Sequence, residues 1–342
     1  MTSSAASCLF ILRMKTFEEA ELCFPELLNS SCRKTMYPHS VSILTYIILY
    51  SISLLTVTLN LLVIISISHF RQLHKPTNLL LLSLAVSDFF IGFLMLFQIT
   101  LIDGCWLLGD FMCILYYVLA YIITSASIGT MVLISVDRYV AICQPLQYPN
   151  KVTQKRVKVC ICLCWICSAF FQTLLLTDNL EQPGRYNSCI GECVIVINYI
   201  AVLADVFFTF IGPVTAIIVL YMRVFVVAVS QARAMRSHVA ALPLKSSVTV
   251  TAKKSEMKAA RALGVVIVVF LVCLCPYFCV SLTGQDSLFN SSTATFVICL
   301  FYFNSCLNPM IYAFFYPWFR KAIKLIVSLK ILQPGSCQTN ML

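Results

Sequence analysis

Charge is scarce in this sequence. Asp, Glu, Lys and Arg together make up 11% of its 342 residues, whereas 60% of the residues are hydrophobic and the mean hydropathy is +0.90. A soluble protein of this length could not cover its surface with so few charged side chains. The composition therefore excludes an ordinary soluble domain and favours a polytopic membrane protein.

The usual signs of enzyme chemistry are also missing. The chain has 4 histidines, scattered along its length, and no Cys/His spacing resembles a zinc site. No nucleophile–base pair and no phosphate-binding loop stands out either. We therefore expect no enzyme activity, no bound metal of a structural kind and no cofactor.

Long apolar runs are what the sequence has instead. About 20 mainly apolar residues cross the hydrocarbon core of a bilayer. Seven segments reach that length, and the chain lacks a hydrophilic stretch long enough for a second domain, so we predict one all-α bundle of seven transmembrane helices. The segments are approximately 43–68, 78–101, 111–136, 157–176, 195–222, 262–283 and 294–316. The predicted divisions are an extracellular N-terminus (1–42), the bundle (43–316), and an amphipathic helix with a cytoplasmic tail (317–342).

The basic residues predict the orientation. With the N-terminus outside, 5 of the 24 Lys and Arg residues lie on the outer side and 19 on the inner side, as the positive-inside rule requires. The net charge of +10 then belongs to an inner face beside anionic lipid and does not indicate nucleic-acid binding. No signal peptide precedes the first span, so we expect that span to direct insertion into the plasma membrane. The sequence leaves open whether translation begins at Met1 or Met14.

The inner end of the third span carries Asp137-Arg138-Tyr139. A permanent cation at the membrane boundary needs a partner, and Asp137 or Glu256, at the base of the sixth span, can supply it. An arginine that exchanges carboxylate partners forms a two-state latch. The alternative is an arginine that is merely anchored among the headgroups.

The seventh span ends in NPMIYAFFYPWFRKA, where Pro309 loosens the helix and Asn308 and Tyr312 can satisfy the freed backbone groups. Five more landmarks occur in order along the spans: Asn60, Asp88, Trp165, Pro213 and Pro276. With them, residues 43–330 resemble the rhodopsin-like G-protein-coupled receptors. The stretches SISHFRQLHKPTNLLLLSLAVSDF, DGCWLLGDFMC, NSCIGEC and NPMIYAFFYPWFRKA further resemble the trace amine-associated receptors, which are olfactory amine sensors.

Six cysteines fall on the outer side, which is oxidising, so up to three disulfides are expected there: Cys23, Cys32, Cys105, Cys113, Cys189 and Cys193. The family resemblance implies that Cys113 bonds Cys193. It also implies that Cys189 bonds Cys32 or Cys23, and Cys105 can take the cysteine that is left. Asn29-Ser30-Ser31 is the better of two glycosylation sequons.

Two carboxylates, Asp88 and Asp205, lie within the hydrophobic spans. Each costs roughly 2.5–3.5 kcal/mol or more at a helix centre unless it faces the bundle and has a partner. The resemblance places Asp88 in a polar cluster that commonly holds a sodium ion, with a water-filled network as the alternative. The other members of that cluster are Ser127, Asn304, Ser305 and Asn308.

Amine receptors normally place the amine-pairing aspartate seven residues after the cysteine of the third helix, and here that position is Ala120. Asp205 is the deep carboxylate that remains, and it shares a helix face with Thr209. In this respect the chain resembles a fish subset of the trace amine-associated receptors, in which the aspartate has moved to the fifth helix. We expect Asp205 to pair with the ammonium, and Tyr277, Phe278 and Tyr302 to supply ring contacts or apolar walls.

The resemblance implies a receptor for small amines, olfactory in role, that acts through a stimulatory or olfactory G protein to raise cAMP. The latch would respond through Phe270, Pro276, Pro309 and Tyr312, although Leu274 stands where these receptors usually carry a tryptophan. One alternative is a rhodopsin-like receptor for a non-amine ligand, in which Asp205 is structural. A transporter is a second alternative, but it predicts internal repeats that the sequence lacks. PWFRKAIKLIVSLK alternates basic and apolar residues and predicts an amphipathic eighth helix on the inner leaflet.

Overall fold

The structure is a computed structural model that describes residues 21–27, 29–34, 39–102, 104–239, 264–280, 282 and 291–341. Its described part consists of helices and loops. Six helices are long and apolar enough to cross a membrane, and a seventh apolar helix is described over Gly264–Val280. The predicted seven-helix membrane bundle is confirmed.

The membrane helices are numbered here from first to seventh along the chain. The first four span His39–His69, Pro76–Ile102, Gly109–Cys143 and Gln154–Leu175. The fifth is built from three consecutive pieces, Tyr199–Asp205, Val206–Ile211 and Gly212–Val239. The sixth is described over Gly264–Val280 and the seventh spans Ser291–Phe315.

Most helix ends differ from the predicted bounds, and the fifth helix continues to Val239 instead of 222. Two of the other differences bear on the outer cavity and on the inner end of the bundle. The fifth helix begins at Tyr199 instead of 195, because Asn198 caps it by accepting a 3.0 Å hydrogen bond from the Ile200 amide. Just before that cap, Asn179 holds Val196 by hydrogen bonds to both of its backbone groups, at 2.8 and 3.1 Å. The third helix continues to Cys143, beyond the predicted 136, so Asp137 and Arg138 lie within a helix.

The fifth helix contains a π-helical turn over Val206–Ile211. Pro213 has no N–H to continue the α-helical ladder, and its ring would clash with a regular carbonyl one turn earlier. The ladder instead shifts by one residue, and the Gly212 amide donates to the carbonyl of Phe207, five residues back. Such turns widen a helix and are frequent at functional sites. This one begins directly after Asp205.

Buried polar contacts join the helices. Asn60, fully buried on the first helix, donates to the Ser305 carbonyl of the seventh at 3.0 Å. Trp165 of the fourth helix donates its ring N–H to Ser83 of the second at 3.2 Å. The third and fourth helices approach closely at Gly129, where a Cβ would lie 2.4 Å from the sulfur of Cys164. These contacts set how the helices are rotated around the bundle axis.

Three disulfides tie the outer side together. They join Cys113 to Cys193, Cys32 to Cys189, and Cys23 to Cys105. The described N-terminal residues 21–27 and 29–34 thus lie along the second outer loop, where Ile190 exchanges backbone hydrogen bonds with Ser30 and Cys32 at 2.7 and 3.0 Å. The structure chooses between the two pairings of Cys189 that the sequence left open.

A further helix, Pro317–Val327, follows the seventh membrane helix and is called the eighth helix. Trp318, Phe319 and Ala322 are buried on one face, whereas Arg320 and Lys324 are exposed on the other. The predicted amphipathic helix is therefore present. Its apolar face packs on the bundle, so its basic face is left for the inner surface.

Candidate ligand-binding site

A cavity of about 160 Å³ opens in the outer half of the bundle and is lined by residues of helices two to seven. An engineered protein cavity of about that volume holds a benzene molecule. All of the residues predicted to contact a ligand line it: Asp205, Thr209, Ala120, Tyr277, Phe278 and Tyr302. The structure thus brings together side chains from four helices, while their roles toward a ligand stay predictions.

Asp205 is the charged side chain of this cavity, counting the described residues that line it. Its Oδ1 accepts a 2.8 Å hydrogen bond from the side-chain amide of Gln172. The Thr209 hydroxyl lies 3.3 Å from the same oxygen and 2.6 Å from the backbone carbonyl of Asp205. In the described part of the chain no hydrogen bond reaches the other carboxylate oxygen, Oδ2. That oxygen can accept one from a ligand.

Gln172 is one of several lining residues, with Gln98 and Tyr116, that the sequence did not predict. It lies on the fourth helix, is 1% exposed, and lines the cavity beside Asp205. A signal was present, because an uncharged amide within the apolar run CWICSAFFQTLL has to find a hydrogen-bond partner inside the membrane. The sequence could not show that this partner is Asp205, since that depends on how the fourth and fifth helices are rotated.

Aromatic rings form the remaining walls. Phe278 stacks on Phe210, with ring centroids 4.1 Å apart, and Tyr277 packs against Phe301 at 4.9 Å. At the other end of the cavity, Tyr116 donates to Gln98 at 2.5 Å, and its hydroxyl lies 3.3 Å from that of Tyr302. The cavity therefore has one anionic end, at Asp205, and one neutral polar end.

Deeper in the bundle, the five residues of the predicted polar cluster are all buried, and Asn308 contacts Asp88. Asn308 donates to Asp88 Oδ2 at 2.8 Å, while Ser127 and Ser305 are 5% and 1% exposed. Three buried oxygens here have no hydrogen-bond partner among the described residues: Asp88 Oδ1, Asn304 Oδ1 and Asn308 Oδ1. A hard cation such as Na⁺ takes oxygen ligands, so these oxygens fit the ion that the family resemblance implies.

At the inner end, Arg138 and Asp137 form a buried ion pair, 6% and 3% exposed. Thr77 of the second helix connects them, because its hydroxyl donates to Asp137 Oδ2 at 3.0 Å and accepts from Arg138 at 2.5 Å. Tyr148, in the loop after the third helix, donates to Asp137 Oδ1 at 2.9 Å. Burial, followed by the charge of Asp137, raises the pKa of Tyr148, so its hydroxyl stays a donor at neutral pH.

Two other predicted switch residues, Phe270 and Tyr312, lie in the core of the bundle. Phe270 and Tyr312 are each 1% exposed in the same core, and Leu274 is 4% exposed one turn above Phe270. Tyr139 packs on Ile142 and Val224. The remaining switch positions are Pro276 and Pro309, within the sixth and seventh helices, and Glu256, which lies outside the described residues.

Comparison with known proteins identifies the class. Residues 59–312 match the family described as 7 transmembrane receptor (rhodopsin family). The chain is 37% identical to trace amine-associated receptor 13c of zebrafish (Danio rerio) over 96% of this chain and 98% of that one. It is 39% identical to trace amine-associated receptor 8a of the rat (92% and 95%), and 37% identical to trace amine-associated receptor 6 of the chimpanzee (94% and 95%).

The chain therefore belongs to the trace amine-associated receptors, within the rhodopsin family of seven-transmembrane receptors. It is a multi-pass protein of the plasma membrane and a receptor, not an enzyme. The membership of this receptor family that the sequence motifs indicated is confirmed.

Proposed function

We propose that the protein is a receptor for a small amine, with the ammonium paired to Asp205 in the cavity described above. The observation that carries this proposal is the placement of one carboxylate in a cavity walled by aromatic rings, with Oδ2 free of hydrogen bonds from the described residues. The similar receptors are named trace amine-associated receptors, which agrees with this ligand class.

The charge balance supports an amine with one cationic group. A carboxylate inside a membrane protein costs several kcal/mol unless it is paired. Gln172 and Thr209 supply neutral donors to Asp205 but no positive charge. An ammonium provides that charge in a charge-assisted hydrogen bond, and the ring faces around it add cation–π attraction of ~0.5–2 kcal/mol each. The opposite end of the cavity offers amide and hydroxyl groups in place of a second carboxylate.

The second candidate is a rhodopsin-like receptor for a non-amine ligand, with Asp205 structural. The hydrogen bond between Gln172 and Asp205 favours it, since an internally bonded carboxylate can join two helices without a ligand. The two candidates differ in whether the carboxylate's charge matters for agonist potency.

We further propose that ligand binding shifts the bundle toward a state in which the Arg138 latch opens and a G protein of the stimulatory or olfactory type binds the inner face. Coupling to an olfactory G protein would give the receptor a role in olfaction. A sodium ion held at Asp88 would neutralise the charge of that carboxylate and would thereby favour the resting state.

A cAMP reporter in transfected cells tests the proposal. Primary, tertiary and cyclic amines are applied to the wild type and to Asp205→Asn, with surface expression measured by an epitope tag on the N-terminus. We expect an amine to raise cAMP in the wild type and the variant to lose at least about tenfold in potency, or about 1.4 kcal/mol. Equal potency in both would favour the structural reading of Asp205.

A further inference from the structure

A second cavity lies between helices two, three and four and is called here the lipid-facing cavity. Its volume is about 420 Å³, within the range of small-molecule sites in proteins. Phe93 of the second helix and Leu119 of the third line it and are exposed, and both belong to membrane spans. The cavity therefore opens toward the hydrocarbon of the bilayer, and its occupant has to enter from there.

The described lining offers an occupant no charge and no free hydrogen-bonding group. Two lining side chains carry a strong hydrogen-bonding group, Tyr116 and Trp165, and each uses it elsewhere. The Tyr116 hydroxyl donates to Gln98 at 2.5 Å, and the Trp165 ring N–H donates to Ser83 at 3.2 Å. The other lining side chains are apolar. An occupant that matches this lining is a hydrocarbon along its buried length.

The rings and the length of the cavity favour a flat occupant that is one leaflet tall. Phe90, Phe93 and Phe97 line it at spacings of three and four residues, so their rings share one face of the second helix. On the third helix the lining runs from Met112 to Ile123, a rise of about 16 Å at 1.5 Å per residue. This is about half of the roughly 30 Å hydrocarbon core, and it lies in the outer half of that helix.

The choice between a sterol and an acyl chain follows from what each loses on binding. Hydrocarbon surrounds the occupant before and after it enters, so no hydrophobic driving force favours entry and close packing has to supply the gain. A flexible acyl chain would lose rotational freedom in a fixed cavity, whereas a rigid fused-ring molecule has little to lose. We propose that the lipid-facing cavity is a binding site for a membrane sterol, with its ring system against the phenylalanine rings of the second helix.

Tyr116 connects this site to the outer cavity, because its side chain lines both. Its ring packs against Phe97, with centroids 6.2 Å apart, and its hydroxyl contacts Gln98 and lies 3.3 Å from that of Tyr302. A sterol would support the ring from the lipid side and so hold the hydroxyl in place. Sterol binding should therefore raise the affinity for the amine. This consequence rests on the proposed function, whereas the sterol site itself does not.

Photolabelling in reconstituted bilayers tests the site directly. The purified full chain is placed in phosphatidylcholine bilayers that contain a sterol with a photoreactive diazirine group, and labelled peptides are located by mass spectrometry. Leu119→Trp and Leu115→Trp each fill the cavity from the third helix. Leu163→Trp is the matched control, since Leu163 is an exposed leucine of the fourth helix that does not line the cavity. The melting temperature of each variant checks its folding, and either filled variant can serve if the other folds poorly.

We expect the label on the peptides of helices two and three that line the cavity. It should fall at least about fivefold in the filled variants and with excess cholesterol, and stay at the wild-type level in Leu163→Trp. Label that is spread over the lipid-exposed helices and unchanged in the filled variants would overturn the proposal, because the sterol would then be ordinary surrounding lipid. Equal labelling of the cavity by a photoreactive phosphatidylcholine would also overturn it and would assign an acyl chain instead.

Amine affinity in the same bilayers, with and without cholesterol, separates the sterol site from the proposed function. We expect the wild type and Leu163→Trp to lose at least about threefold in affinity without cholesterol, and Leu119→Trp to be insensitive to it. If the label maps to the cavity but cholesterol leaves the affinity unchanged, the sterol site stands and the link through Tyr116 is wrong. If no amine binds the wild type, the proposed function fails, while the labelling still decides whether the sterol site exists.

Discussion

Gln172 on the fourth helix donates a 2.8 Å hydrogen bond to Asp205 on the fifth. This contact joins two helices that appear in the sequence as separate apolar runs. Both residues line the cavity in which we propose that the amine binds. The contact therefore ties the position of the Asp205 carboxylate to the packing of two helices.

An aspartate at residue 120 should be able to replace the carboxylate of Asp205 in binding the amine. Ala120 of the third helix lines the same cavity as Asp205, so an aspartate there would face the same space. We expect Ala120→Asp, introduced into Asp205→Asn, to restore amine potency at least about tenfold relative to Asp205→Asn alone. The measurement is the cAMP response to the most potent amine. A matched Ala120→Asn in the same background supplies the control and should restore nothing.

Two hydrogen bonds from neutral hydroxyl groups to the Asp137 carboxylate should hold the latch in its resting arrangement. Tyr148→Phe removes the 2.9 Å hydrogen bond to Asp137, and Thr77→Val removes the hydroxyl between Asp137 and Arg138. Each deletion removes a hydrogen bond to a charged group, worth about 1.5–3 kcal/mol, or about tenfold or more in the equilibrium between resting and active states. We expect ligand-independent cAMP to rise by up to that factor in each variant. Tyr50→Phe, at an exposed tyrosine of the first helix, is the control, and basal activity that stays at the control level would argue against a latch.

Sodium should weaken agonist action through Asp88. Asp88, Asn304 and Asn308 each have a buried side-chain oxygen without a hydrogen-bond partner among the described residues, and an ion held at Asp88 would favour the resting state. We expect agonist potency in membranes to fall when NaCl replaces KCl for the wild type, and to be insensitive to that exchange in Asp88→Asn. Ser83→Ala, which removes a buried hydroxyl of the same helix bonded to Thr130, should keep the sodium effect. A wild type that ignores the exchange would favour a water network at this site.

The bond between Cys32 and Cys189 should contribute to stability, since it fastens the N-terminal segment to the second outer loop across 157 residues of chain. Replacing both cysteines by serine is expected to cost about 2–4 kcal/mol. The measurement is the melting temperature of the purified receptor. Cys160→Ser, at an exposed free cysteine of the fourth helix, is the matched control. Equal melting temperatures for the pair variant and the control would contradict the prediction.

Much of the fold was predictable because bilayer thickness constrains span length. The seven apolar segments, the outward N-terminus and the amphipathic eighth helix follow from run length and charge distribution alone. The helix ends were less predictable. The side chains of Asn198 and Asn179 decide where the fifth helix begins, and such local hydrogen bonds leave no mark on a hydropathy profile.

The site was predictable in part. Asp205 stands out because it is an acid in an apolar run, and Thr209 follows from helix geometry. The π-helical turn after Asp205 and the contact with Gln172 were not predictable, since both depend on packing between helices distant in sequence. For the same reason six outer cysteines could be counted, but the pairings of Cys23, Cys32, Cys105 and Cys189 required the three-dimensional structure.

The most direct test of the central claim, that Asp205 is the counter-ion of an amine, is ligand-induced stabilisation of purified receptor in detergent, since this reports binding without any G protein. A ligand present at 100 times its Kd stabilises the folded state by about 2.7 kcal/mol. We predict that the activating amine raises the melting temperature of the wild type and leaves that of Asp205→Asn nearly unchanged. An equal rise in both proteins would contradict the account, because the amine would then bind without the carboxylate of Asp205.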